Sequence, residues 1–137
     1  MEIFISQQQS AASPVSIMQL KGSLDGSSYE YFITEAQKLY DSGARNLLVD
    51  MTDLVFLSSA GLGALHRVAR VFRGEDRANM EEGWAALRAM GREGNVIQEH
   101  IKLLNPSASI QNVLDTVGFK SFFAIFLDTS EAIASFG

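Results

Sequence analysis

The stretch that most constrains this chain begins with Leu47-Leu48-Val49, continues through Asp50 to Leu57, and opens into Ser58-Ser59-Ala60-Gly61-Leu62-Gly63. Three consecutive apolar residues with no polar alternation suit a strand buried on both faces, as in the centre of a parallel sheet. Leu62, Leu65, Ala69 and Phe72 then recur at i, i+3, i+7 and i+10, which is the spacing of one helical face. The order of events is therefore a central strand, a short loop holding Asp50 and Asp53, and a helix that begins at the two serines. A helix start offers unpaired backbone N–H groups, so the serines stand where a phosphate is tolerated.

The flanking segments supply the remaining layers. Ile3-Phe4-Ile5 and Val15 to Leu20 read as two strands of a hairpin, separated by Gln7-Gln8-Gln9-Ser10 and the turn former Ser13-Pro14. Ser27-Ser28-Tyr29-Glu30 carries the serine and glutamate spacing of a capping box. Phe32, Ile33, Ala36, Leu39 and Tyr40 follow at helical spacing up to Gly43. Ile101 to Leu104 reads as a fourth strand, Ser107 or Ser109 caps a helix ended by Gly118, and Phe122 to Leu127 reads as a fifth strand before a short helix near Glu131 to Phe136. Strands alternating with helices predict an α/β fold built on a parallel sheet, whose right-handed crossovers set most helices on one side of each strand pair. Between Gly74 and His100 the chain is charged and broken by glycines. Asn79 and Glu82 there cap a short helix aligning Met80, Trp84, Leu87 and Met90, so about 74–100 reads as an inserted helix or lid in a single domain spanning 1–137.

Charge and composition remove several classes of function. With 137 residues, 47% of them hydrophobic, the chain buries a core without metals or disulfides, and the absence of cysteine fits a reducing, cytoplasmic setting. A formal net charge of −5 repels a nucleic-acid backbone, so no nucleic acid is expected as a ligand. No apolar run reaches the length of a membrane span, so no membrane insertion is expected. No base and nucleophile pair is in evidence, and no enzymatic activity is expected. His66 and His100, with Glu99, lack the spacing of a metal site, and no metal or other cofactor is expected. Gly61-Leu62-Gly63 lacks the third glycine of a dinucleotide fingerprint.

The segment from Asp50 to Gly63, taken with Gly22-Ser23-Leu24-Asp25, resembles the STAS domain family, the sulfate transporter and anti-sigma factor antagonist family. The family motif runs Asp, apolar, Ser/Thr, any residue, apolar, any residue, aromatic, apolar, Asp, Ser, Ser/Thr, Gly, apolar, Gly. Here Asp50, Thr52, Phe56, Ser59, Gly61 and Gly63 keep its character, while Ser58 replaces the second acidic residue and Ala60 replaces the usual phosphoacceptor. The resemblance extends along the order of elements, including Ile101 to Phe119, and leaves 74–100 as foreign. It implies a mixed, mostly parallel sheet of five strands with helices mainly on one face. It also implies an anti-sigma factor or a serine kinase of the histidine-kinase-like type as partner, and a homodimer or other STAS proteins as further partners. The implied partner-binding residues are Asp25, Ser58, Ser59, Ala60, Gly61, Leu62 and Gly63, with Asp25 beside the serines; Arg67 and Arg70 are added to them from the basic strip of the second helix. Phosphorylation breaks binding in the bacterial regulators; with Ala60 at the usual acceptor position, such a switch in this chain requires Ser59 or, second, Ser58 to substitute.

Each feature also has a plain structural reading. Ser58 and Ser59 serve as helix caps, each worth about 1 kcal/mol. His66, Arg67, Arg70 and Arg73 read as the polar side of the second helix, either docking an acidic partner or simply solvated. Two functions are thus expected: a phosphorylation-tuned antagonist, or a phosphorylation-independent scaffold or accessory subunit of a signalling or lipid or anion transport complex, which Ala60 favours. Small-molecule binding around Trp84 ranks third.

Overall fold

The computed structural model describes residues 1–11, 13–74 and 97–137. The elements run β1 (Glu2–Gln9), β2 (Pro14–Leu24), α1 (Tyr29–Asp41), β3 (Leu47–Leu57), α2 (Ser59–Phe72), β4 (Ile101–Leu104), α3 (Ala108–Thr116), a 3₁₀ turn (Phe119–Ser121), β5 (Ile125–Phe126) and α4 (Thr129–Ala134). The strands form one sheet in sequential order. β1 is antiparallel to β2, and every later pair is parallel. This is the mixed, mostly parallel sheet that the resemblance implied, with the Leu47 strand at its centre.

One face of the sheet carries the main core. Met18, Leu20 and Leu24 of β2 and Leu47, Val49, Met51, Leu54 and Leu57 of β3 meet Phe32 and Ala36 of α1, Leu62, Leu65 and Val68 of α2, and Ile110 and Leu114 of α3. Phe119, Phe122 and Phe123 close that core with rings 4.9 to 6.3 Å apart, including one edge-to-face pair. The other face holds a smaller cluster, Val15, Leu48, Leu104 and Ala132, covered among the described residues by α4. Among the described residues, three helices therefore lie on one face and one on the other.

Several expectations are corrected. β1 runs on through Gln7, Gln8 and Gln9, because an edge strand buries little side chain and tolerates polar residues. β3 does not stop at Val49. Asp50 and Asp53 lie within the strand rather than in a loop, because two register shifts against β2, at Gln19/Lys21 and Gly22/Ser23, accommodate extra residues in β3. The shifts stretch the buried spacing to Met51, Leu54 and Leu57, leaving Thr52, Asp53, Val55 and Phe56 exposed. Ser27-Ser28-Tyr29-Glu30 forms no capping box: Ser28 precedes α1 without a side-chain cap bond, its Oγ donating instead to Ser23 O at 2.7 Å. His66 is no part of a polar face; it is fully buried, its ring 5.5 Å from that of Phe122. The strand expected over Phe122 to Leu127 shrinks to Ile125–Phe126, since Phe122 and Phe123 are consumed by the aromatic core.

Other boundaries agree with the sequence. Ser107, not Ser109, caps α3, accepting from Ile110 N–H at 3.3 Å, and Gly118 follows it with φ +80. The expected helix around Met80, Trp84, Leu87 and Met90 lies outside the described residues. At 97–100 the chain is already docked on the sheet: Gln98 N–H donates to Phe122 O and His100 O accepts from Leu47 N–H.

Candidate functional site

The parallel strands β2 and β3 end side by side, with Leu24 paired to Leu57. One residue further on, Ser58 N–H donates to Leu24 O at 3.0 Å, tying the mouth of α2 to the end of β2. Ser58 is the N-cap: extended in backbone, its Oγ accepts from Gly61 N–H at 3.3 Å and its carbonyl from Leu62 N–H at 2.9 Å. This local fold follows from Ser before Gly, a good cap residue followed by a backbone that approaches its neighbours closely.

The two serines are not equivalent. Ser58 is half-buried and its hydroxyl is engaged by the cap, whereas Ser59 is exposed in the first turn of α2 and its hydroxyl has no hydrogen bond among the described residues. Ala60 is half-buried and brings no hydroxyl. Leu62 is buried in the main core.

The two glycines differ in the same way. A Cβ on Gly61 would stand 2.5 Å from Leu24 O and 2.8 Å from Leu57 Cδ1, so only glycine lets α2 close on the strand ends. A Cβ on Gly63 would meet nothing within 4 Å. Gly63 lies one helical turn beyond Ser59, and Arg67 one turn beyond Gly63, so the three share a face of α2. Arg67 and Arg70 are half-buried.

Asp25 follows the last residue of β2 and is therefore next to Ser58 along the strand ends, but its carboxylate turns inward on its own loop. Oδ1 accepts from Ser27 Oγ at 2.6 Å and from Ser27 N–H at 2.9 Å. The Ser27 hydroxyl, then its N–H, hold the Asp25 carboxyl below the ordinary carboxylate value. A fixed negative charge thus stands at the lip of the site.

Sequence reasoning missed the apolar part of this surface. Val55 is 71% exposed and Phe56 53% exposed, just before Ser58. The three-residue spacing of Leu54 and Leu57 fits a strand only through the register shifts against β2, which a local pattern does not contain. On the face that α4 partly covers, Asp50 Oδ1 accepts from Thr52 N–H and Oγ1, Asn105 Nδ2 donates to Thr52 Oγ1 at 3.2 Å, and Gln19 Nε2 donates to Asp53 Oδ2 at 2.8 Å. The two acidic residues thus serve the strand and its neighbours.

The histidines lie apart from this region. His100 Nδ1 is 3.0 Å from Asn46 Oδ1 at the opposite ends of the strands, beside a depression of about 520 Å³ that also involves Lys102 and Phe136. Among the described residues no group of three or more His, Cys, Asp or Glu could hold a metal ion, and no helix is long and apolar enough to cross a membrane.

Comparison with known proteins follows the same geometry. The family model of the STAS domain matches residues 7–77, which contain β2, β3, α2 and the strand ends described above. Among solved structures, the anti-sigma factor antagonist SpoIIAA in its unphosphorylated form is 18% identical, with TM-score 0.63, over 95% of this chain and 93% of that one. An anti-sigma factor antagonist from Mycobacterium paratuberculosis is 13% identical, with TM-score 0.65, over 98% and 93%. The Bacillus cell fate determinant SpoIIAA in its phosphorylated form is 17% identical, with TM-score 0.54, over 95% and 96%. These identities carry the fold alone. No match is found among curated protein sequences.

Proposed function

This chain belongs to the STAS domain family, and on that premise we propose that it is a non-enzymatic regulator of the anti-sigma factor antagonist kind, docking a serine-kinase anti-sigma factor with the mouth of α2. The docking surface comprises Asp25, Ser58, Ser59, Ala60, Gly63, Arg67 and Arg70, seated on Gly61 and Leu62. Val55 and Phe56 add an apolar margin. Ser59 is the modified residue: a kinase transfers a phosphoryl group from ATP to Ser59 Oγ, the hydroxyl proton is lost, and ADP leaves.

The observation that carries this reading is the contrast between the serines, Ser58 occupied as the cap and Ser59 exposed with no hydrogen bond among the described residues. A phosphate there adds about −1.5 to −2 charge. The first turn of a helix accommodates such charge, so the fold survives while the surface changes. The Asp25 carboxylate nearby adds like charge, sharpening the change that a partner meets.

The test is a binding titration with a histidine-kinase-like anti-sigma factor recovered by co-purification from the native cells, using wild type and Ser59→Asp. Affinity should fall at least tenfold in the variant while its melting temperature is unchanged. Equal affinity overturns phosphorylation control. A second reading, a phosphorylation-independent scaffold or transport-complex subunit, is favoured by Ala60; it is the conclusion if Ser59→Asp binds normally and peptide mapping of the native protein shows no phosphate between Leu57 and Leu65.

A further inference from the structure

The loop between β2 and α1 is knotted by its own serines. Ser28 is buried there, and its Oγ donates to Ser23 O at 2.7 Å and accepts from Asp25 N–H at 3.1 Å. Asp25 O in turn accepts from Ser28 N–H at 3.1 Å and from Tyr29 N–H at 2.9 Å. The backbone of Asp25 is thus held at both its N–H and its carbonyl, and its side chain is the part left free to turn.

Ser27 takes up that remaining freedom. Its Oγ at 2.6 Å and its N–H at 2.9 Å both donate to Asp25 Oδ1, and Ser28 Oγ stands 3.4 Å from the same oxygen. Oδ2 has no hydrogen bond among the described residues. The N–H alone would make the ordinary local bond of a turn aspartate, about which the carboxylate still swings. The hydroxyl adds a second bond of the short, charge-assisted kind, and two donors converging on one oxygen fix the plane of the group. Ser27 is exposed, and among the described residues its hydroxyl bonds Asp25 alone.

We propose that Ser27 is a positioning residue for docking: it locks the Asp25 side chain before the partner arrives, so that Oδ2 is presented as the acceptor for a donor group of the docked protein. The role rests on the proposed docking of an anti-sigma factor at the mouth of α2, where Ser58 N–H is bonded to Leu24 O, one residue before Asp25. Ordering a side chain in advance removes a cost that association otherwise carries. The same two bonds, the hydroxyl ahead of the N–H, hold the carboxyl below its ordinary value, so the acceptor on offer is a charged one. Ser27 itself stays out of the contact and acts through Asp25.

A double-mutant cycle tests this, with binding titrations of wild type, Ser27→Ala, Asp25→Ala and the double variant against the co-purified anti-sigma factor, and circular dichroism melts verifying that each is folded. Ser27→Ala should weaken binding about threefold to tenfold in the wild-type background and not at all in the Asp25→Ala background. Ser27→Thr, which keeps the hydroxyl, should bind as wild type does. In the free chain, three-bond couplings to the Asp25 β-protons should report one rotamer in wild type and an average of several in Ser27→Ala. The same loss in both backgrounds, no loss in either, or averaged couplings in wild type overturns the positioning role and leaves docking standing. A wild type that binds no anti-sigma factor overturns docking, and with it the role given to Ser27.

Discussion

Single atoms decide much at the mouth of α2. Gly61→Ala would press a methyl group onto the Leu24 carbonyl and Leu57, and overpacking of this kind costs about 1–3 kcal/mol; a thermal or denaturant melt should show the loss. Gly63→Ala should instead stabilise by about 0.5–1 kcal/mol, because the site is open and glycine is a poor helix former. Ser58→Ala should cost about 1 kcal/mol through the lost cap, while Ser59→Ala should stay within about 0.5 kcal/mol, as befits an exposed position. Asp25 titrates below its unfolded value because of Ser27. Its stabilising effect is therefore complete above the unfolded carboxyl pKa and is lost as pH falls through the lowered folded one. Melting temperature measured against pH should fall less steeply on the acid side for Asp25→Asn than for wild type.

Among the elements, β3 shows what could be read in advance and what could not. Its start, Leu47-Leu48-Val49, announces a central strand because both faces are covered, by the main core and by Leu104 and Ala132. Its continuation was illegible because Asp50, Thr52 and Asp53 have turn chemistry, while the buried residues Met51, Leu54 and Leu57 step by three, closer to a helix than to a strand. The bulges reconciling these facts are pairings with β2, and a local pattern contains no information about a partner strand. Phe122 and Phe123 misled for a related reason: aromatic residues suit a strand, and here they are claimed by Phe119 and the core. The Ser58 cap and the α2 face were legible because both rest on contacts within one turn or one helix, although His66 at the same spacing is buried against Phe122. Leu65→Ala, in the fully buried face of α2, should cost about 2–5 kcal/mol, whereas Phe56→Ser should leave the melting temperature almost unmoved and weaken only partner binding.

For the whole molecule, the unequal faces of the sheet matter. Helices α1, α2 and α3 cover one side, α4 covers part of the other, and β1 is left as an open border. The bond from Ser58 N–H to Leu24 O and the missing side chain at Gly61 have a consequence of their own. They hold the start of α2 tightly on the strand ends, so on the proposed reading a charge added at Ser59 alters the surface and not the position of the helix: a stamp whose relief is changed, not a lever that moves.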